Sequence, residues 1–348
     1  MTASRRRYSV ATLYTIYESM FYCATFAMFG LFTTYLTAYS FSNQFIALTL
    51  SVVGITSMVL SPVIAAFTDK TDNCRLVNQI SLIATEAAVM YFFSLPEKTE
   101  ASAMIFAIFG YGGIRTLMSE TDTWVSKLIS RGEKINYGST RAAGSISYAV
   151  SAFAVGRLLA YMGYDFARWV FTVLLSACFI ITFFIPNPHK SAEEARTEKV
   201  TFSDAFRVFS KNKVYMMFLL CNMIYMCTNA VCENYIGPLV LDLGGTSAEV
   251  GMMSGILACL EFIFMPQFSR FADALGTRTV IVIGLFGFGI KALSFSLARS
   301  IPALLLCSVT QIISFAIMTP ARIRLVSEEI PPRYIASGLI MVNLAGQL

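Results

Sequence analysis

Charge is scarce in this chain: Asp, Glu, Lys and Arg make up 14% of 348 residues, whereas 56% are apolar, and the mean hydropathy is +0.65. So small a charged share excludes an ordinary soluble domain and places the chain in a bilayer. Histidine is nearly absent; the one present, His189, sits in a polar loop, which excludes His-based metal or triad chemistry inside the membrane. The eight cysteines stand singly, nearly all in apolar segments and without a CxxC pair, so they read as small packing residues, Cys227 and Cys232 included. HExxH, GxSxG and GxxxxGK[ST] are missing as well. These absences argue against an enzyme, a metal and a cofactor. The net charge of +5 is spread along the loops and reads as membrane topology, with no nucleic-acid partner.

What the chain does have is hydrophobic length. Eleven apolar segments lie near 10–38, 43–67, 76–95, 102–126, 139–162, 168–186, 214–241, 250–268, 279–298, 301–321 and 334–348, most of them matching the ~20 residues a helix needs to cross the hydrocarbon core. They are too long and continuous for barrel strands, so the expected fold class is an all-α integral membrane protein. The last segment runs into Leu348 without a polar flank and is expected to be truncated. With the N-terminus and its Arg5, Arg6 and Arg7 in the cytoplasm, Lys98, Arg168 and Arg299 fall outside and Arg115, Arg141, Arg157 and Lys291 lie within segments. The rest of the 26 Lys and Arg are then cytoplasmic, as the positive-inside rule requires. No small-residue cleavage site closes the first segment, so it reads as a span and not a signal peptide. The expected location is the plasma (cytoplasmic) membrane, multi-pass, N-terminus cytoplasmic.

Asn187 to Lys213 is the longest polar stretch and follows six segments. It divides the chain into an N-terminal six-helix bundle at 1–187, a cytoplasmic linker at 188–213 and a C-terminal bundle at 214–348 holding helices 7 to 11. The halves share a motif. Pro62 is followed seven residues on by Asp69 and Lys70, then Asp72 and Arg75; Pro266 is followed seven residues on by Asp273, then Gly276 and Arg278. An acid at a cytoplasmic helix end can accept from a neighbouring helix N-terminus and pair with a loop arginine, latching one helix to the next. Duplicated bundles of this kind are the build of rocking carriers.

The Pro62–Arg75 stretch resembles the signature loop of the major facilitator superfamily, G-x-x-x-D-[RK]-x-G-[RK]-[RK]. Asp69, Lys70 and Arg75 match it, with Ala65 in place of the first glycine and Asp72 in place of the second. Tyr137-Gly138-Ser139-Thr140-Arg141-Ala142-Ala143-Gly144-Ser145, together with Asp122-Thr123-Trp124 and Leu260-Glu261-Phe262, is similar to the branch containing lactose permease, other oligosaccharide–proton symporters and related nucleoside symporters. The resemblance implies twelve helices in two pseudo-repeated six-helix bundles. It also implies that Arg141 and an acid on helix 4 pair and hold solute hydroxyls, that Tyr148 stacks on the solute, and that Lys291 belongs to a proton-coupling network. The acid is assigned to Asp122, although a gapless match falls on Thr123. Helix 10 departs from the pattern: Gln311 and Ser314 stand where that branch has a histidine and the proton-carrying glutamate.

Ionisable side chains inside the membrane are functional candidates because a charge at the bilayer centre costs from ~3 to ~10 kcal/mol. Asp122 and Arg141, on antiparallel neighbours, either bind solute together or form a structural salt bridge. Arg115, seven residues before Asp122 with Ser119 between, either meets the solute or neutralises Glu120. Glu18, flanked by Tyr14 and Tyr22, is either part of a cavity for a polyhydroxy ligand or a buried acid satisfied by another helix. Glu86 reads as structural. Asn222, Asn229 and Glu233 share one face of helix 7 ahead of a kink at Pro238, and Glu261 and Lys291 are the other mid-span charges of the second half. Glu233, Glu261 and Lys291 are the ion-coupling candidates, with Glu18, Glu233 or Glu261 replacing the helix 10 glutamate. Arg141, Asp122, Tyr148, Glu18, Arg115, Asn229 and Gln311 are the solute-binding candidates.

The function these features imply is secondary active transport of a small hydroxyl-rich solute (an oligosaccharide, sugar or nucleoside) by alternating access, with proton-coupled uptake by a monomer. The alternatives are an efflux carrier for amphipathic compounds, favoured by 29 Phe and 17 Met, and a non-transporting solute sensor.

Overall fold

A helix in lipid must satisfy its backbone internally and protect its first N–H groups with side chains. The computed structural model describes residues 9–71, 73–188, 202–331 and 334–346, with the side chains at 65, 66, 69, 70, 130, 138, 202–205, 269 and 336 outside that description. Asp69, Lys70, Asp72 and His189 therefore lie outside the described residues or side chains. The fold is all-α, and among the described residues ten helices are long and apolar enough to cross a membrane: spans 1 to 6 at Val10–Ala38, Asn43–Ile64, Cys74–Ser94, Glu100–Ile129, Ser139–Met162 and Tyr164–Thr182, and spans 7 to 10 at Lys213–Asn234, Ser247–Gln267, Thr277–Leu297 and Ile301–Glu329. The eleventh expected segment is a shorter helix, Ile335–Ala345.

Caps explain where many helices begin. Ser9, Asn73, Asn136 and Asn212 each accept from a backbone N–H three residues on, at 3.0 to 3.2 Å, and Thr99 and Ser102 close a reciprocal box at span 4. Gly163 and Gly276, at φ +82°, let the chain turn between spans 5 and 6 and into span 9. The linker holds a helix at Phe202–Lys211. One expectation is corrected. The seventh segment is broken as well as kinked: its helix ends at Asn234 and a new one, Ile236–Asp242, starts with Pro238 in its first turn, where the missing N–H costs nothing.

Spans 1, 4 and 10 are also irregular, with π turns at Phe26–Gly30, Phe106–Tyr111 and Ile312–Ala316. In the first two a phenylalanine ring lies over the glycine four residues on. A Cβ on Gly30 would meet Phe26 Cδ2 at 2.4 Å, and one on Gly110 would meet Phe106 Cδ2 at 2.9 Å.

The chain divides into two compact units, one of residues 1–191 and 246–255 and the other of residues 192–245 and 256–348. In the first, span 1 is the buried post. Tyr14 donates to the Thr121 carbonyl at 2.7 Å, Tyr17 to Asn78 Oδ1 at 2.8 Å, and Ser151 to the Cys23 carbonyl at 2.9 Å, tying it to spans 4, 3 and 5. Glu86 Oε1 accepts from Thr172, which joins spans 3 and 6, while its Oε2 is buried without a hydrogen-bond partner. Thr246–Gly255 belongs to this unit because Ser247 donates to the Gly156 carbonyl at 3.0 Å and Gly251 packs on the Ala152 carbonyl. In the second unit Tyr215, Phe218, Tyr225, Phe288, Met318 and Leu325 form the core. Large apolar side chains such as Ile55, Val173, Phe286 and Leu306 are more than 60% exposed, as lipid-facing residues should be.

Spans 9 and 10 approach most closely at Gly287, where an added Cβ would lie 2.0 Å from the Ile313 carbonyl oxygen. Gly287→Ala must push backbone apart and is expected to destabilise by about 1–3 kcal/mol, read as a lower thermal midpoint of the detergent-purified protein. Gly289, with nothing within 4 Å of its Cβ position, is the control, and an equal loss in Gly289→Ala would refute the packing argument.

Candidate functional site

Each unit carries its own cluster of buried polar side chains. In the first, Glu18 on span 1 is 1% exposed, and its Oε2 is buried without a hydrogen-bond partner. Gly144 of span 5 allows the approach, since a Cβ there would meet Tyr22 Cδ2 at 2.8 Å and Glu18 Cγ at 3.1 Å. Three residues before it, Arg141 lays its guanidinium over the Tyr22 ring, 4.4 Å from the centroid, and donates to Ser145 Oγ at 3.1 Å. Glu18, Arg141 and Asp122 interact electrostatically, so one cation stands among two acids and two phenols from spans 1, 4 and 5.

The expected Arg141–Asp122 ion pair is not formed. Asp122 instead accepts from the Tyr137 hydroxyl at 2.8 Å, because Tyr137, one turn ahead of Arg141, is the residue that the start of span 5 turns toward span 4. Arg115 does not join the cluster or neutralise Glu120; it is exposed and lies over Tyr111, 5.7 Å from the ring centroid. Tyr148 packs edge-on against Phe26 at 5.3 Å. Tyr22 is the phenol expected beside Glu18; Tyr137 and Ser145 are the partners that a search for charges passes over, although they lie four residues either side of Arg141, on its own helix face.

The second unit assembles five candidates in one network. Lys291 on span 9 is 0% exposed and donates to Asn229 Oδ1 on span 7 at 3.0 Å and to Gln311 Oε1 on span 10 at 2.7 Å. Gln311 passes the connection on through Nε2 to Glu261 Oε1 on span 8 at 2.6 Å. Glu233, whose side chain is 41% exposed, lies 3.8 Å from the ammonium. Gln311 has one acceptor and one donor group, so it joins a cation to an anion without carrying charge. Asn222 does not share this site; its amide donates to the Val342 carbonyl at 2.8 Å.

The Pro266–Asp273 turn is latched, with different partners from those expected. Asp273 accepts from Arg324 at the end of span 10 at 2.8 Å, and Arg324 also holds Glu328 at 2.8 Å. Arg278 pairs with Glu329 at 2.6 Å. In the first unit Arg75 donates to the Ile185 carbonyl, and its backbone N–H donates to Asn187 Oδ1. Arg324, Glu328 and Glu329 sit beyond the expected end of their segment, which is why periodicity alone did not bring them forward.

Ten membrane-length helices among the described residues, in two units with turns anchored through Arg75 and Asp273, define a polytopic membrane protein of the major facilitator fold. Residues 14–346 match the model of the MFS_1 like family, and the chain belongs to that family. It is 26% identical over 217 residues to the uncharacterized transporter YwbF of Bacillus subtilis (strain 168), covering 61% of this chain and 52% of that one. To the maltose permease of Geobacillus stearothermophilus it is 19% identical over 211 residues, with 61% and 52% covered. The chain thus spans about half the length of the curated relatives it matches. The crystal structure of the nucleoside transporter NupG superposes with a TM-score of 0.75 at 16% identity, covering 98% of this chain and 88% of that one.

Replacing Lys291 by methionine, which keeps the stem, would leave Asn229 Oδ1 and Gln311 Oε1 without their donor. A loss of about 1–3 kcal/mol is expected, measured as a lower thermal midpoint. Adding Gln311→Leu should cost less than the two single losses together, because the residues act as a unit. Strict additivity would count against the network.

Proposed function

We propose that this chain is a secondary active transporter, or the greater part of one, that moves a small hydroxyl-rich solute across the plasma membrane by proton-coupled uptake and alternating access. The N-terminus is placed in the cytoplasm. The observation that carries the reading is the first-unit cluster: a fully buried Glu18 with one carboxylate oxygen unpartnered, beside Arg141. Buried polar groups are normally paired, so an unpartnered oxygen beside a guanidinium and two phenols suits a ligand that brings its own hydroxyls. Both signs of charge are present, which favours a neutral solute over a carboxylate or phosphate. The maltose permease and nucleoside transporter among the similar proteins are named for solutes of this kind.

In this reading Arg141 and Asp122 hold solute hydroxyls, Tyr22 and Tyr137 position them, and Glu18 takes up the proton that the helix 10 residues Gln311 and Ser314 cannot carry. The second-unit network of Glu233, Glu261 and Lys291 serves coupling, with Asn229 and Gln311 as neutral partners. Proton binding and solute binding at neighbouring groups then share one coupling free energy.

The test is accumulation of radiolabelled nucleoside or oligosaccharide in cells or proteoliposomes under an inward proton gradient. Arg141→Ala is expected to reduce uptake at least 100-fold, on the order of the 3 kcal/mol that a charge-assisted hydrogen bond contributes, with the protein still folded in the membrane. Glu18→Gln is expected to retain solute exchange and lose gradient-driven accumulation. Full accumulation by Arg141→Ala would overturn the assignment, and export of a dye without solute uptake would favour efflux.

A further inference from the structure

A separate pocket lies away from both clusters, between spans 2, 3 and 4. It is lined by Ser61, Thr68, Thr116, Ser119, Glu120 and Thr123, with the buried thiol of Cys74 as a small additional wall. We propose that this pocket binds a small monovalent cation, Na+, with the Glu120 carboxylate as its charged ligand.

The argument is a count of donors and acceptors. Glu120 Oε1 accepts from Ser81 Oγ at 2.9 Å, and Oε2 is buried with no hydrogen-bond partner. Among the described residues no lysine or arginine pairs with it, and Arg115, the cation closest in sequence, lies over Tyr111. A buried carboxylate without a cation is costly, and such groups are normally paired or bound to a metal ion. Three of the five lining hydroxyls cannot supply the missing proton freely. Thr68, Thr116 and Thr123 each donate to a carbonyl four residues back on their own helix, all at 2.9 Å. A hydroxyl has one proton and two lone pairs, so these three present lone pairs to whatever lies in the pocket. The lining therefore sets several oxygen acceptors around one carboxyl group, with the Ser61 and Ser119 hydroxyls beside them.

That pattern selects the ligand class. An anion would need donors. Ca2+ and Mg2+ draw oxygen ligands that commonly include several carboxylates or bound phosphates, whereas this pocket has one carboxylate, and no group of three or more His, Cys, Asp or Glu that could hold a metal ion occurs among the described residues. Neutral hydroxyl oxygens around a single carboxylate balance one positive charge. Glu120 and Asp122 lie two residues apart on span 4, so a cation here would act on the helix that also carries an acid of the first-unit cluster. The inference goes beyond the transport reading and is tested by binding, without flux, so the failure of one is distinguishable from the failure of the other.

The experiment is thermal unfolding of the purified full chain in NaCl, KCl or choline chloride at equal ionic strength and fixed pH. Saturating Na+ should raise the midpoint by on the order of 5 °C, since a ligand that binds only the folded state stabilises it by mass action, and K+ and choline should not. Glu120→Gln should abolish the shift, while Glu86→Gln, outside the pocket, should keep it. Should Glu120→Gln fail to fold, Thr116→Val removes one ligand oxygen at nearly constant volume and should weaken Na+ binding several-fold. The proposal is overturned by equal midpoints in the three salts, by a Na+ shift that survives in Glu120→Gln or is undiminished in Thr116→Val, or by stabilisation on acidification alone, which would make Glu120 a proton site.

Discussion

The second unit depends on one constraint: a lysine ammonium with no exposed surface has to find every partner inside the helix bundle. Lys291 meets this with two amide oxygens at hydrogen-bond distance and one carboxylate at 3.8 Å. Placing amides between the charges separates Lys291 from Glu261 by the length of Gln311, so that the pair is linked without being neutralised in direct contact. A direct buried ion pair is hard to open, because either ion alone bears the full desolvation cost. An amide relay distributes that cost over four helices and leaves Glu233, the partner with the most exposed side chain, able to move toward or away from the ammonium. The position of spans 7, 8, 9 and 10 in this unit is in that sense fixed by one side chain on span 9.

The first unit solves a related problem by deforming its helices. The pentapeptides Phe26-Ala27-Met28-Phe29-Gly30 and Phe106-Ala107-Ile108-Phe109-Gly110 differ at one position and both form π turns. Their aromatic rings meet: Phe29 lies 6.2 Å from Phe106 and 5.4 Å from Tyr111, and Phe32 lies 4.8 Å from Tyr111. A π turn inserts a residue and rotates everything beyond it relative to the preceding helix, and such turns frequently mark functional stretches. Spans 1 and 4 therefore share a local distortion at a mutual contact, and both carry acids of the polar cluster, Glu18 and Asp122. Helices 1 and 4 are counterparts in the nested repeats of this fold, which gives the duplicated pentapeptide a structural origin.

The spans were legible because a hydrocarbon core imposes length and hydropathy directly on sequence, and the orientation rule adds the charge of the loops. The members of the second-unit network were legible for a similar reason, since each is a polar residue at a depth where polarity is expensive. Pairings were less legible. Asp122 and Arg141 were brought together by their levels on adjacent helices, but which side chain spans the gap is set by rotation about each helix axis, and that rotation favours Tyr137. Likewise, same-face spacing put Arg115 with Asp122, whereas seven residues span just under two turns of an ideal helix and the exposed Arg115 side chain turns back over Tyr111. The duplicated Phe-Ala-x-Phe-Gly was present in the sequence as a repeat, but its short length and apolar character gave no reason to separate it from ordinary lipid-facing segments.

Hydroxyl groups show why composition alone locates so little in a membrane protein. Thr15, Thr25, Thr116 and Thr121 each donate to the carbonyl four residues back, at 2.8 to 2.9 Å, so a threonine in a span consumes its own proton and needs no partner from another helix. Such residues are inexpensive in lipid, and their presence says nothing about a site. Their lone pairs remain, however, and become informative when several converge on a carboxylate that no cation answers. The discriminating quantity is then the balance of donors and acceptors around one ionisable group, which depends on side-chain direction and is set only when the helices are packed. On that criterion Glu18, Glu86 and Glu120 each retain a buried oxygen in search of a partner, and Glu120 is the one of the three that stands in a hydroxyl-lined pocket.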